Sequence, residues 1–465
     1  MSRHRPRARL AAAAGAALAL VWAGGATAAA PAPKPRTPIE HVVVLMQANH
    51  SFDSYFGTYP GADGLPAGTC IPTSVAPGAD PKDCVKPYRL GDGALGTLPT
   101  SSRDVALEQR HGGRLDGFLA AGRTDPAAPA NPAVMAHYDD RDIPWYWNAA
   151  DDYVLFDRFF TSSLGGKLTN RMFWVSGSPG VAGAATTDRI PAEGFTAPTI
   201  FDRLQAKGIS WKFYVENYDP AITYRSRQSG DRGGQIKRVP LLNYARFLDD
   251  PERFKRIVDV SEYHRDLERG TLPAVSFISS SASSEHPPGR VRAGQAFVRT
   301  LVGSAMRSSA WASTALLWTY DDWGGFYDHV PPPQVDRSGY GFRAPALLVS
   351  PYAKRGYVDH TTLDVTSVLK FIEQNWGLRP LASRDRGAQS IAGAFDFAQP
   401  PRKAAFIGLD RGRPALTHPR TWVVYACYLG ALAAAGFLIT ITIATDRRRP
   451  GDRGTAAIAP EEAGR

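Results

Sequence analysis

What the chain has little of already limits the class of protein it can be. Its 465 residues include three cysteines, Cys70, Cys84 and Cys427, too few for a cysteine-rich scaffold. No segment repeats along the sequence, which argues against a repeat architecture. The formal net charge is +10, yet the central part has no run rich in lysine or arginine and no nucleic-acid-binding motif. Because the positive charge is not clustered and no such motif is present, we expect no nucleic-acid partner.

The composition is that of a globular protein, with 43% hydrophobic and 21% charged residues. Its first residues differ, since four arginines between Arg3 and Arg9 precede the apolar run Leu10–Trp22. This run of 13 residues is too short to cross a hydrocarbon core of about 30 Å. Small residues at 26–28 then complete the pattern of a signal peptide over 1–28, followed by a Pro/Ala linker over 29–38. An uncleaved anchor is the alternative.

A second apolar stretch lies near the other end, where Trp422–Ala444 contains 23 uncharged residues. About 20 suffice to cross a bilayer, and three arginines follow from Arg447. The pattern predicts a stalk over 403–421, one transmembrane helix over 422–444 and a cytoplasmic tail over 445–465. It places the main domain outside the cytoplasm, at the cell membrane. The alternative is that residues 422–444 form a helix buried in the protein core.

Cys70 and Cys84 lie in a loop rich in glycine and proline within the exported part. In an oxidising compartment such a pair is expected to form a disulfide. A zinc site is the weaker interpretation, because two thiols without neighbouring histidines are too few ligands.

The domain between the linker and the stalk shows apolar, β-branched runs separated by helical patterns. Such runs are typical of strands buried on both faces. They occur at His41–Met46, Ser210–Val215, Leu272–Ile278, Ala315–Tyr320 and Ala346–Ser350. Helical patterns occupy Ile200–Ala206 and Val365–Trp376. The alternation predicts an α/β/α sandwich with a mainly parallel central sheet over residues 39–402.

Polar residues follow two of these predicted strands, where ligands collect in open α/β sheets. Asn49 comes shortly after the first run, and Asp321 and Asp322 come directly after the run that ends at Tyr320. Adjacent acids beside a buried strand need a positive partner. One interpretation is a divalent metal ion held by oxygen ligands. The other is a solvated acidic turn that caps a helix, and the pattern leaves both open.

Four segments, in the same order, resemble the bacterial phospholipase C and acid phosphatase family. They are Ile39–Gly57, Ser284–Pro288, Thr319–Pro333 and Gly341–Gly377. The resemblance extends over most of 39–402 and implies an alkaline-phosphatase-like fold. It also implies metal-assisted phosphoryl transfer from a phosphate ester or a phospholipid, through a Ser or Thr nucleophile.

Carried over residue by residue, the resemblance implies roles for six positions. Asn49, Asp321 and Asp322 correspond to metal ligands, His286 to a phosphate-facing histidine, and Asn170 and Arg171 to the Asn-Arg pair after the nucleophile. His50, His329 and His360 are further candidates for substrate binding, although each could equally be structural.

Other positions depart from the family pattern. Ala48 stands where the family has a metal-binding Glu, and Lys167 stands at the expected nucleophile position. Ser101 and Val365 stand where histidines are expected. The Lys167 ammonium could pair with the two aspartates and make the metal ion unnecessary. We therefore hypothesise a degenerate active site with impaired phosphoryl transfer.

The alternatives differ in where the chemistry would occur. Thr169, Ser162 or Ser163 could replace the missing nucleophile, although such hydroxyls are more often loop or capping groups. A sulfatase-like activity would need a modified Cys or Ser, and no cysteine lies in a suitable motif. The two functional hypotheses are a surface phosphoesterase and a non-catalytic relative that binds ligands or organises the cell envelope.

Overall fold

The computed structural model describes residues 33–91, 95–123, 130–187, 189–229, 234–287, 289–411 and 421–446. The predicted signal peptide over 1–28 lies outside these ranges, as does residue 447 onward in the predicted tail.

The described strands fall into one large sheet and two small ones. In chain order they are β1 (His41–Gln47), β2 (Ile71–Pro72), β3 (Cys84–Val85), β4 (Tyr88–Arg89), β5 (Ala136–His137), β6 (Val154–Phe156), β7 (Trp211–Val215), β8 (Ile257–Asp259), β9 (Val275–Ser279), β10 (Thr314–Tyr320), β11 (Ala346–Val349) and β12 (Tyr357–Asp359).

Along the chain, most of the described helices lie between strands of the large sheet. They are α1 (Phe52–Phe56), α2 (Arg103–Arg110), α3 (Pro144–Asp152), α4 (Gly166–Ser176), α5 (Ile200–Ala206), α6 (Gln235–Arg238), α7 (Ala245–Leu248), α8 (Pro251–Phe254), α9 (Ser261–Arg269), α10 (Val291–Arg307), α11 (Val365–Trp376), α12 (Ser383–Gly387) and α13 (Thr421–Asp446).

The large sheet has eight strands in the order β12-β6-β11-β10-β1-β9-β7-β8. Strand β1 lies near its centre and pairs in parallel with both β10 and β9. Only β11 runs antiparallel to its neighbours β10 and β6. The prediction of a mainly parallel sheet in an α/β domain is therefore confirmed.

Burial explains why the central strands read as continuous apolar runs. Every residue of β10 is buried, and so are the last six residues of β1. Since successive side chains point to opposite faces, both faces of these strands are covered by protein. The helices predicted over Ile200–Ala206 and Val365–Trp376 are α5 and α11.

Two features predicted outside the sheet have different outcomes. Cys70 and Cys84 are joined by a disulfide. Among the helices of the described ranges, none is both long enough and apolar enough to cross a membrane. The structure thus does not support the predicted span at 422–444. Helix α13 covers this segment.

Candidate active site

The ends of β1 and β10 bring the predicted polar residues together. The two strands are parallel neighbours, with Gln47 beside Tyr320, so the residues that follow them meet at one edge of the sheet. The side-chain amide of Asn49 donates a hydrogen bond to Asp322 Oδ1 at 2.7 Å. Gly324 packs so closely here that a Cβ on it would lie 2.4 Å from the Asn49 carbonyl oxygen. The tight turn after β10 thus requires glycine.

Asp322 is the centre of this arrangement and is fully buried. Its Oδ2 accepts a hydrogen bond from the Ser101 hydroxyl at 2.9 Å, and its Oδ1 accepts one from the Gly324 backbone at 2.8 Å. Burial, together with the charge of Asp321, raises the pKa of Asp322, whereas the positive charge of Lys167 opposes that rise. Lys167 is therefore close enough to interact electrostatically with this carboxyl group.

Asp321 has a different partner. Its Oδ2 accepts a hydrogen bond from Arg171 Nε at 2.8 Å, and both side chains are fully buried. The same guanidinium donates to the Ser279 hydroxyl at 2.9 Å and to the Arg238 carbonyl at 2.7 Å. Removing one member of a buried pair leaves an uncompensated charge, so this contact fixes α4 against the strand ends.

The start of α4 carries the other two residues of the predicted motif. Asn170 accepts a hydrogen bond from the Ser163 backbone N–H at 2.8 Å and donates one to its carbonyl at 3.2 Å, so it shapes the preceding loop. Lys167 lies in the first turn of α4 and is half-buried. Among the described residues, its ammonium group has no hydrogen-bond or ion-pair partner.

The three hydroxyls considered as substitute nucleophiles are all fully buried. Ser162 donates a hydrogen bond to Asp364 at 2.6 Å, and Thr169 donates one to the Gly165 carbonyl at 3.1 Å. The Ser163 hydroxyl accepts a bond from the Gly165 backbone at 3.0 Å. Each hydroxyl therefore has a structural role in the loop and first turn of α4.

A cavity of about 370 Å³ opens beside Asn49 and Gly324. Ser101 and the exposed His286 complete its polar end. The imidazole Nδ1 of His286 lies 2.6 Å from the carbonyl oxygen of Pro287, a bond that leaves Nε2 for another partner. The apolar part of the wall consists of Leu95, Leu98, Pro99 and Pro287.

The other predicted substrate-binding histidines are not among the residues that line this cavity. His50 is buried and stacks between the rings of Tyr55 and Phe326, with centroid distances of 4.3 and 4.8 Å. Burial lowers the pKa of His50 to about 3, so its ring is neutral at physiological pH.

His329 and His360 contact a separate set of aspartates. His329 Nδ1 lies 2.7 Å from Asp53 and its Nε2 lies 3.3 Å from Asp63. His360 Nδ1 lies 2.7 Å from Asp157, and the rest of its side chain is exposed. Both rings therefore contact aspartates that are not part of the acid pair at residues 321 and 322.

Glu285 is a prominent group at the site that the sequence analysis did not single out. Its carboxylate is fully buried and accepts hydrogen bonds from three tyrosines, Tyr55 and Tyr146 at 2.5 Å and Tyr320 at 2.8 Å. Burial raises the pKa of Glu285 to about 7. The sequence signal for Glu285 is its place in the family-like segment Ser284–Pro288, directly before His286; the tyrosines gave none, since they are far apart along the chain.

Most oxygens of the predicted metal ligands are engaged by other groups of the protein. Both oxygens of Asp322 accept hydrogen bonds, and Asp321 Oδ2 is paired with Arg171. Of the side-chain oxygens of Asn49, Asp321 and Asp322, Asn49 Oδ1 and Asp321 Oδ1 have no donor among the described residues. The neighbouring residue 48 is an alanine. Ca²⁺ takes about six or more oxygen ligands, and Mg²⁺ held by so few protein oxygens would depend on water and substrate oxygens, so a metal site here stays a prediction. Within the described ranges, no cluster of three or more His, Cys, Asp or Glu side chains is placed to hold a metal ion.

Fold and site together define an α/β protein whose ligand cavity lies at the carboxyl ends of parallel strands, beside a buried acid pair. The model of the phosphoesterase family matches residues 39–379. The chain belongs to this family, which confirms the resemblance found in the sequence.

Similar proteins include several named phospholipases. Phospholipase C A of Mycobacterium tuberculosis (strain ATCC 25618 / H37Rv) is 30% identical, over 82% of this chain and 80% of that protein. Non-hemolytic phospholipase C of Burkholderia pseudomallei is 29% identical, over 81% and 62% of the two chains. A solved structure of an alkaline phosphatase superfamily protein from Vibrio parahaemolyticus is 10% identical with a TM-score of 0.39, covering 77% of this chain and 71% of that one.

Proposed function

We propose that this domain binds phosphate esters in the cavity beside Asn49 and that it hydrolyses them slowly or not at all. The observation that carries the proposal is the position of Lys167 in the first turn of α4, from which its positive charge acts on Asp322. The family resemblance places a hydroxyl nucleophile there. An ammonium group has no lone pair for attack on phosphorus until it loses a proton.

Charge balance supports the same proposal. The acids Asp321 and Asp322 face two cations of the chain itself, Arg171 and Lys167. With Ala48 in place of an acidic ligand, the site is neutral without a metal ion. Asn49 and His286 line the cavity and carry N–H groups that can donate to phosphate oxygens, whereas the Ser101 hydroxyl already donates to Asp322.

The test is an assay of the full chain with 4-nitrophenyl phosphate and with phosphatidylcholine, with and without added Mg²⁺, Ca²⁺ or Zn²⁺. We expect negligible turnover by the wild-type protein. The double variant Ala48→Glu with Lys167→Thr should gain metal-dependent turnover, because it restores an anionic ligand and a hydroxyl nucleophile. Ala48→Glu with Lys207→Thr, at an exposed lysine after α5, is the matched control.

A second candidate is an active phosphoester hydrolase, favoured by the 30% identity to a protein named phospholipase C A. It predicts turnover by the wild-type chain. If Lys167→Ala abolished that turnover, the lysine would be part of the machinery and the proposed impairment would be wrong.

We also propose that the domain lies outside the cytoplasm. The signal-peptide pattern at 1–28 supports this location, and so does the Cys70–Cys84 disulfide, since such bonds persist in oxidising compartments. Anchoring through residues 422–444 stays a prediction from the sequence.

A further inference from the structure

The cavity has two chemically different parts. Asn49 and Ser101 lie beside Asp322, and His286 also lines the cavity; a phosphate group can accept hydrogen bonds from the second amide N–H of Asn49 and from a protonated His286. The loop over residues 95–101 contributes most of the remaining wall. Its apolar members are Leu95, Leu98 and Pro99, which lie among Thr97 and Thr100, and Pro287 is a further apolar residue of the wall. A phosphate ester held at the polar end would therefore place its alcohol part against apolar side chains.

This apolar wall is fixed in place before any ligand arrives. At one end of the loop, the Ser101 hydroxyl is bonded to Asp322 at 2.9 Å. Pro99 packs on the turn after β10, where a Cβ on Gly325 would lie 2.9 Å from the Pro99 carbonyl oxygen. Leu98 packs against the buried cluster that contains Trp323. A preformed apolar wall gains affinity from ligand burial without the cost of ordering a loop.

The wall lacks what a quaternary ammonium group requires. Among the described residues that line the cavity there is no carboxylate and no Phe, Tyr or Trp ring. Recognition of choline-like cations depends on such rings or on negative charge. Trp323 and Phe326 follow the acid pair in sequence, but both are fully buried in the protein interior. The nearest acid, Asp322, is covered by its hydrogen-bond donors and faces the positive charge of Lys167.

We infer that the cavity selects phosphate esters whose alcohol part is uncharged and apolar, such as an aryl or short alkyl group, over esters of choline. This inference rests on the proposed function, because it assumes that the polar end of the cavity binds the phosphate group.

Calorimetric titration of the full chain tests it with three ligands, phenylphosphonate, phosphocholine and inorganic phosphate, of which only phosphocholine has an ester bond. We expect phenylphosphonate to bind about tenfold tighter than inorganic phosphate, since its ring is buried against leucine and proline. Phosphocholine should bind no tighter than inorganic phosphate.

Variants of the wall separate the ring contact from phosphate binding. Leu98→Ala should weaken phenylphosphonate about three- to tenfold and leave inorganic phosphate unchanged. Leu95→Ala is the second variant, should Leu98→Ala fail to fold. Leu107→Ala, at a 42% exposed leucine of α2 that does not line the cavity, is the matched control and should change neither affinity.

The outcomes distinguish the two claims. Binding of none of the three ligands would overturn the proposed function, and the selectivity with it. If inorganic phosphate binds but phosphocholine binds as tightly as phenylphosphonate, only the selectivity inferred here is wrong. Equal phenylphosphonate affinity of the wild type and both wall variants would also overturn it.

Discussion

Single buried residues decide how the site is supported, and Glu285 is the clearest case. Its backbone has a φ of 62°, in the left-handed region that few residues other than glycine adopt. Three tyrosine hydroxyls hold its carboxylate, and its carbonyl oxygen lies 3.2 Å from His50 Nε2. The next residue, His286, lines the cavity. Glu285 therefore acts as a positioning residue, which holds the loop that carries His286.

We expect Tyr146→Phe to destabilise the protein by about 1–3 kcal/mol, because it leaves a buried oxygen of Glu285 short of a donor. The remaining contact to that oxygen is a long one, from Gln47 at 3.5 Å. Urea unfolding measures the change. Tyr88→Phe, at a 37% exposed tyrosine, should have almost no effect; equal stability of the two variants would contradict the role given to Glu285.

Among the elements, α10 shows how a helix is fitted to the site. Gly294 lies in its first turn, and a Cβ at that position would lie 2.0 Å from Glu285 Cγ. Gly303 lies further along the same helix, where a Cβ would meet only the end of the flexible Arg307 side chain at 3.2 Å. The first glycine allows close packing against the buried carboxylate, whereas the second has no such constraint.

Gly294→Ala should therefore destabilise the protein by about 1–3 kcal/mol through overpacking. Gly303→Ala should be neutral or stabilise it by up to about 1 kcal/mol, because alanine is the better helix former. Both values come from denaturant unfolding of the two single variants. A stabilising Gly294→Ala would show that α10 can move away from Glu285 without loss.

For the molecule as a whole, buried acids that stay protonated make stability depend on pH. Burial, together with the neighbouring Asp385, raises the pKa of Glu373 to about 9, and burial raises that of Glu285 to about 7. The folded state then holds protons that the unfolded chain releases above its ordinary carboxyl pKa, so stability falls as pH rises. His50, whose pKa is lowered by burial, acts in the opposite sense, but only below its ordinary value of 6.5.

The free energy of unfolding should accordingly decrease between about pH 6.5 and pH 9. Glu373→Gln should flatten this decrease, because an amide does not ionise and can donate a hydrogen bond to Asp385 as the protonated acid does. Denaturant unfolding across this pH range measures the slope. Glu252→Gln, at an exposed glutamate of α8, is the control, and an unchanged slope for Glu373→Gln would contradict the assignment.

The sequence by itself determined five of the eight strands of the large sheet and the place of its polar edge. The five apolar runs correspond to β1, β7, β9, β10 and β11, because strands covered on both faces are apolar along their whole length. Because β1 and β10 pair in parallel, their carboxyl ends lie at the same edge of the sheet, and Asn49 and Asp322 meet there. Local pattern is sufficient here, since each signal lies within one short segment.

Only the tertiary structure decided the partners of these groups. Arg171 lies 150 residues from Asp321, and the three tyrosines meet Glu285 from separate elements of the chain. The loop over 95–101 became a cavity wall, and His329 turned to Asp53 and Asp63. No local period records such contacts, because burial pairs each charged or polar group with whichever partner the fold brings within hydrogen-bond distance.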